Sequence, residues 1–298
     1  DARKTDEWIN NVKATLGNKS LDYIVCLHME PDHAGSMMKA METFPTAKVV
    51  GNAKTFTYMA QFFDVNLEGR KVEVKDGESL SLGEHSLTFV CAPMVHWPEV
   101  MVAYESSEKV LFAADAFGKF GAISKYDGDW ACEARRYYFN ICGKYGVQVQ
   151  SLLKKAAALD IKTIAPLHGP VLKENLGYYL DLYNTWSSYG VESEGVLVAF
   201  ASIHGNTRKA AEKIASILEE QGAKKVVVSD LSRDDEAEVI EDAFRYGKMI
   251  IAAPTYDGGL FPPMESFLSH LKSKNYQKRT VGIIENGTWA PMSGKLMK

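Results

Sequence analysis

The sequence predicts an α/β protein of two domains, and three observations lead to that class. Its 298 residues are 46% hydrophobic and 24% charged, an ordinary globular composition. That length suits about two domains of roughly 100–200 residues each. Residues 72–111 alternate apolar and polar positions between short turns, the pattern of antiparallel hairpins. After Gly195 the pattern becomes strand, glycine-bearing loop, helix, strand, with near-continuous apolar strands. Such alternation indicates a parallel sheet. The change of pattern predicts domains of residues 1–192 and 193–298.

Residues 1–16 carry Trp8, Ile9, Val12 and Leu16 at helical spacing, and Gly17 supplies the stop. Residues 22–27 (DYIVCL) read as a short buried strand with His28 at its carboxyl end. Helix at 36–44 and strand at 48–51 follow. Within 72–111 the turns fall at Asp76-Gly77, Gly83-Glu84 and Ser106-Ser107. Residues 132–160 return to helix, 162–166 (KTIAP) form a strand just before His168, and 178–189 form an aromatic helix. In the second half, strands VLVAFA, KVVVSD, KMIIAAP and RTVGIIEN alternate with helices at 208–221, 236–246 and 264–274.

Composition excludes several classes. The net charge of −4, with no long Lys/Arg block, argues against nucleic acid as the main partner. No apolar run approaches the ~18 residues of a membrane span, and the first residues lack the apolar core of a signal peptide. Cys26, Cys91, Cys132 and Cys142 show no C-x-x-C spacing and are expected to be reduced, buried thiols of a cytoplasmic protein.

Residues 27–36 read LHMEPDHAGS and place four ligand-type side chains within six positions: His28, Glu30, Asp32 and His33. They lie on a loop between strand and helix, stiffened by Pro31 and turned at Gly35. Two carboxylates and two imidazoles crowded there call for a multivalent cation. His96, Asp115 and His168 each stand at the carboxyl end of another apolar run, so all seven groups converge on one rim. Seven are too many for one metal and suit two metals sharing a bridging carboxylate. His85, in a hairpin, and His270, on a Lys-rich helix, do not join them.

A second constellation follows the strand VLVAFA. Ser202, His204, Gly205, Asn206 and Thr207 bring hydroxyls, backbone amides and a helix N-terminus toward one spot, which suits a terminal phosphate. The nucleotide-hydrolysing pattern G-x-x-x-x-G-K-[ST] is absent. Two further loops stand at the carboxyl ends of later strands, where open α/β sheets bind ligands. Pro254, Thr255, Tyr256, Asp257 and Gly258 form one; Asn286, Gly287, Thr288, Trp289 and Ala290 form the other. They offer backbone for the polar edge of a ring, with Tyr256 and Trp289 for its face.

The first set resembles the metallo-β-lactamase fold, whose hydrolases carry H-x-H-x-D-H on the corresponding loop and usually bind zinc. Here Glu30 stands at the second histidine, which hardens the site and moves the preference toward iron or manganese. The spacing 28/30/32/33, then 96, 115 and 168, with the words EPDHAGS, VHWPE, ADAFGKFGA and PLHGP, resembles the flavodiiron proteins, or A-type flavoproteins. The 202–207 loop is similar to the flavodoxin phosphate loop.

The resemblance covers nearly the whole chain. It implies a metallo-β-lactamase-like αββα sandwich followed by a flavodoxin-like doubly wound parallel sheet, both incomplete at the chain ends. It implies two iron ions, with His28, Glu30 and His96 on the one nearer the flavin, Asp32, His33 and His168 on the other, and Asp115 bridging. FMN would occupy the three loops. The implied activity is reduction of dioxygen to water or of nitric oxide to nitrous oxide, in the cytoplasm. No rubredoxin-type cysteine pairs occur, so electrons would come from a separate donor such as rubredoxin or a flavin reductase. A head-to-tail homodimer or dimer of dimers is also implied. The alternatives are a zinc-dependent hydrolase fused to a flavodoxin-like module and a pure electron carrier with a degenerate first domain. Glu30 and the bridging Asp115 weigh against the hydrolase, and the full seven-residue set weighs against the carrier.

Overall fold

The computed structural model describes residues 1–125 and 128–298. The chain divides into two compact units, Asp1–Gly118 with Ser151–Gly177, and Lys119–Gln150 with Tyr178–Lys298.

The first unit begins with α1 (Thr5–Leu16), which ends at Gly17, in the left-handed region at φ 58°, whose N–H donates to the Lys13 carbonyl. Strand β1 (Tyr23–Val25) leads through the ligand-rich loop into α2 (Pro31–Ala34) and α3 (Met37–Thr43). Next come β2 (Lys48–Gly51), α4 (Ala53–Phe62) and β3 (Lys71–Glu73). Helix α4 lies outside the sequence reading. Its start is a capping box in which Asn52 accepts from the Lys54 and Thr55 N–H groups and Thr55 Oγ1 accepts from the Asn52 N–H.

That helix also changes the expected pairing. Residues 72 and 73, expected to open a run of antiparallel hairpins, belong to β3, which pairs parallel with β2 in the sheet β1-β2-β3. A helical crossover returns the chain in the same direction, whereas a tight turn would reverse it. The remaining hairpins are as predicted. β4 (Ser79–Ser81), β5 (Ser86–Cys91), β6 (Met101–Glu105) and β7 (Val110–Phe112) pair antiparallel in sequence order.

Adjacent residues of β2 show how the layers stack. Val50 faces the second sheet and shares a core with Leu87, Phe89, Met101 and Ala103. Val49 points the other way, onto Met37 and Met41 of α3 and Phe56 and Met59 of α4. This is the period-2 alternation of a strand buried on both faces. Strand β6 is buried along its whole length.

Between the halves of this unit lie α5 (Ala131–Ile141) and α6 (Gly146–Ala156), the latter spanning the division between units. β8 (Thr163–Ala165) then completes the second sheet, parallel to β7. Lys155 of α6 donates to Asp76 and to the Cys91 carbonyl.

The second unit continues with α7 (Leu176–Ser187), β9 (Ser193–Phe200), α8 (Asn206–Glu220), β10 (Val226–Asp230), α9 (Glu236–Arg245) and β11 (Tyr246–Tyr256). It closes with β12 (Gly259–Leu260), α10 (Pro262–Ser273), β13 (Thr280–Asn286) and α11 (Ser293–Met297). Strands β10, β9, β11 and β13 form a parallel sheet in that spatial order, and β12 folds back antiparallel on β11. Small residues Ala211 and Ala215 let α8 lie close on Val196, Val198 and Phe200, while Leu197 and Ala199 are buried on the opposite face.

The compact units differ from a division at residue 192. Helix α5 and nearly all of α7 fold with the flavodoxin-like sheet. The Phe139 ring stacks on Phe244 of α9 at 4.2 Å, and Trp130, Tyr138, Tyr183 and Trp186 form one aromatic cluster. At its side Arg135 reaches Glu192 with Nε and Nη2 (2.6 and 2.8 Å) and Glu241 with Nη1 (2.5 Å), and Trp186 Nε1 also donates to Glu192 (2.6 Å). Arg135 and Glu241 are buried.

Burial pushes the Glu241 carboxyl up to about 7, outweighing the Arg135 guanidinium beside it. A folded value above the unfolded 4.5 means the folded state takes up the proton more readily. Stability contributed by that proton is therefore complete below pH 4.5 and is lost as pH rises toward 7. The stability of Glu241→Gln relative to wild type should thus increase between pH 4.5 and 7 and then level off. Denaturant titration across that range measures it, and a pH-independent difference would contradict the assignment.

All four cysteines are free thiols. Cys26 and Cys142 are buried as expected, Cys91 is partly buried, and Cys132 is exposed, which corrects the expectation for those two. Cys132 stands in the first turn of α5, where Ala131 and Ala134 take the inward positions. Among the described residues, no helix is long and apolar enough to cross a membrane.

Candidate functional site

The turn after β1 positions the first ligands. Pro31 opens α2 with its fixed φ, and the Glu30 carbonyl accepts from the His33 and Ala34 N–H groups. A Cβ at Gly35 would stand 2.5 Å from the Pro31 carbonyl oxygen, so the following turn requires glycine. The neighbouring Cys26 thiol is pushed up to about 12, first by burial and then by the charge of Glu99. Its S–H donates to the His28 carbonyl at 3.4 Å.

All seven side chains singled out from the sequence meet in the first unit, in two groups. His28, Glu30, His96 and Asp115 form one; Asp32, His33 and His168 form the other; within each, the donor atoms lie within 4.8 Å of one another. In the first group, Glu30 Oε2 lies 3.2 Å from His28 Nε2 and 3.0 Å from His96 Nε2. Asp115 Oδ2 faces the same group, 3.2 Å from His96 Nε2 and 3.5 Å from His28 Nε2. Its other oxygen, Oδ1, faces the second group, 3.0 Å from His33 Nε2 and 3.6 Å from His168 Nε2. Asp32 closes that group through His168 Nε2 at 3.2 Å and His33 Nε2 at 3.4 Å.

Two observations suit this arrangement to a metal. Asp115 is 1% exposed, yet neither of its oxygens has a hydrogen-bond partner although four imidazole nitrogens surround them. The His33 and His168 Nε2 atoms are also only 3.2 Å apart. Carboxylate oxygens and imidazole nitrogens crowded this closely are stable when a cation lies between them. Burial alone would raise the Asp115 carboxyl, but the His33 and His96 contacts and the charge of His28 outweigh it and hold it well below the usual carboxylate range. His85 contacts Ser107 and Glu105, and His270 contacts Glu236; both stand outside the two groups.

In the second unit the three predicted loops come together at the carboxyl ends of β9, β11 and β13. Gly205 adopts φ 82° just before α8, and its N–H donates to Ser202 Oγ (3.1 Å). Asn286 Nδ2 donates to Thr207 Oγ1 (3.1 Å), joining the first loop to the third. Thr255 Oγ1 accepts from the N–H groups of Met292 and Ser293 (2.9 and 3.1 Å), joining the second loop to the chain after the third. Pro254 pairs with Asn286 at the end of the β11–β13 ladder.

Asp257 and Gly258, both at positive φ, form the tip of the β11–β12 hairpin, the backbone a type I′ turn needs. The Tyr256 ring is half exposed against Phe261, and Trp289 is 74% exposed. Gly287 packs beside Thr255 and Pro291, Thr288 follows it, and Ala290 has positive φ. Beside the first loop, a cavity of about 310 Å³ is lined by Ser202, Ile203, His204, Gly205, Arg208 and Arg233, with Asn206 opening α8.

Comparison with known proteins agrees with this geometry. A family model described as ODP family beta lactamase matches residues 3–169, and a flavodoxin domain model matches residues 197–293. A nitric oxide reductase of Moorella thermoacetica is 31% identical over 274 residues, covering 89% of this chain and 68% of the relative. The chain belongs to the flavodiiron family.

A coenzyme F420H2 oxidase of Methanothermobacter marburgensis is 28% identical to this flavodiiron chain, covering 92% of it and 70% of the relative. The rubredoxin:oxygen oxidoreductase of Desulfovibrio gigas has the same fold, with a TM-score of 0.91 at 24% identity over 100% of this chain and 76% of that one.

The flavodiiron chain contains site residues that sequence reasoning missed. Glu99 is fully buried and accepts from His28 Nδ1 at 2.7 Å and from the Met29 N–H at 2.9 Å. Burial would raise its carboxyl, but these bonds outweigh it and hold it below the usual range. Arg208 and Arg233 bring positive charge to the phosphate-type loop; Arg208 also pairs with Asp230 (2.5 Å), which lies 3.6 Å from Arg233. Glu99 was visible only as part of the word VHWPE. Arg233 comes from the loop after β10, and nothing local connects it with residues 202–207.

Proposed function

We propose that this flavodiiron oxidoreductase reduces a diatomic gas, dioxygen to water or nitric oxide to nitrous oxide, at two irons held by the seven side chains described above. The observation that carries the proposal is the shared buried Asp115, with one oxygen facing each ligand group. Both gases are proposed because one relative is named a nitric oxide reductase and another an oxidase.

FMN and a non-haem diiron centre are its cofactors, and the residues in place fit both. When bound, the two irons and FMN would supply the electrons for reduction of the gas. The rest falls to the protein. Glu30 and Asp115 make the first group rich in carboxylate oxygen, which favours iron over zinc. Pro31 and Gly35 hold the loop so that the side chains of residues 28, 30, 32 and 33 converge without rearrangement. In the second unit, loop amides, Ser202, Thr207, Arg208 and the α8 N-terminus suit the FMN phosphate, and the loops at 254–258 and 286–290 suit its ring. We further propose a cytoplasmic head-to-tail homodimer or dimer of dimers, reduced by a separate donor such as rubredoxin or a flavin reductase.

Iron, zinc and FMN should be measured per chain in anaerobically purified protein, followed by consumption of dioxygen and nitric oxide. About two irons and one FMN, with gas consumption supported by the reduced flavin, is the expected result. Two zinc ions and no gas consumption would overturn the proposal in favour of a hydrolase.

A further inference from the structure

We propose that Glu99 is the positioning residue of the first metal group, fixing His28 and the backbone between His28 and Glu30 with a single carboxylate. This inference rests on the two-metal reading above. A neutral imidazole that ligates through Nε2 must carry its proton on Nδ1. His28 Nε2 faces Glu30 and Asp115, and its Nδ1 faces Glu99 Oε1 at 2.7 Å. A carboxylate accepts and does not donate, so Glu99 selects the one tautomer that leaves the Nε2 lone pair for a cation. Its negative charge also makes the imidazole a stronger donor.

The same oxygen accepts from the Met29 N–H at 2.9 Å. Met29 separates His28 from Glu30 and is completely buried, so the carboxylate also holds the main chain from which both ligands project. Glu99 lies three positions after His96, and its own carbonyl is held by Asn52 Nδ2 at 2.6 Å, from the cap of α4. One buried residue thus ties together the two chain segments that supply His28, Glu30 and His96. The hydrogen bonds of Glu99 run to His28 and to the Met29 N–H, in the stretch that supplies His28 and Glu30 of the first group, and to Asn52. Loss of Glu99 should therefore affect one metal position and spare the other.

The test is titration of metal-free protein with Co(II), followed by its visible absorption, in wild type, Glu99→Gln and Glu99→Leu. Each is repeated with His168→Ala, which leaves the first group as the complete one, and with Glu30→Ala, which leaves the second. Glu99→Leu should weaken Co(II) binding at the first position by about 10–100-fold and leave the second unchanged. Glu99→Gln retains an acceptor for both bonds but no charge, and should weaken the first position by less than ~10-fold.

Equal affinities in all three proteins, or an equal loss at both positions, would overturn the inference. If metal-free Glu99→Leu fails to give a cooperative melt, Glu99→Gln decides: selective weakening of the first position supports the role, and wild-type affinity there refutes it. A wild-type protein that takes up a single Co(II) would instead sink the two-metal reading itself.

Discussion

Asp115→Asn should reduce gas consumption by at least ~100-fold, the scale seen when a preorganised charged group is removed from a catalytic centre. The substitution keeps size and shape but removes the negative charge that lies between two groups of imidazoles. Only one of the replacement's two heads is a ligating oxygen; the other is an amide that would face either His28 and His96 or His33 and His168. Iron content should fall from about two toward one per chain, while FMN content, which depends on the other unit, should not change. A variant that keeps two irons and more than half the wild-type rate would exclude Asp115 as the shared ligand. Because the side chain is almost isosteric, the thermal midpoint of the metal-free protein separates this effect from unfolding.

Arg135→Met should destabilise the second unit by about 3–5 kcal/mol, the range for removing one partner of a buried ion pair. The cost does not come from lost attraction alone. Glu192 and Glu241 would remain in place with their side chains 12% and 6% exposed and no guanidinium between them. Surface pairs such as Lys4–Glu7 contribute far less, because water already solvates both partners. Adding Glu192→Gln to Arg135→Met should recover part of the loss, since the carboxylate that faced Nε and Nη2 of the guanidinium is removed. Denaturant unfolding followed by the fluorescence of the buried Trp130 and Trp186 measures both variants. A loss below ~1 kcal/mol would show that water reaches the carboxylates and that the network is not the anchor of α5.

The candidate site was legible to a large extent because its residues advertise themselves chemically. Four ligand-type side chains in six positions at the end of an apolar run have no ordinary packing explanation, and His96, Asp115 and His168 share that strand-end setting. The phosphate-type loop was legible for the same reason, as glycine, hydroxyls and a helix start fall together. Glu99 and Arg233 were not, because a single Glu or Arg in a loop has the signature of a solvated surface residue, and Arg208, in the first turn of α8, has that of an exposed helix position. What distinguishes Glu99 is complete burial against His28, 71 positions away.

The fold divides along the same line. Periodicity and end signals placed α1, β2, the β4–β7 hairpins and the alternating elements after Gly195, since each depends on residues within one or two turns of chain. Those local signals identify a face to be buried but not the element that buries it. The sequence by itself therefore determined the class, the order of most elements, the family resemblance and the seven converging donors. Only the tertiary structure decided that β3 joins β2 in parallel and that α5 lies on α9 through Phe139 and Arg135. It also decided which Asp115 oxygen meets which group, and that Glu99 stands behind His28. These are contacts between distant segments, selected by shape and charge complementarity once the chain has closed its loops, and no short stretch of sequence contains both partners.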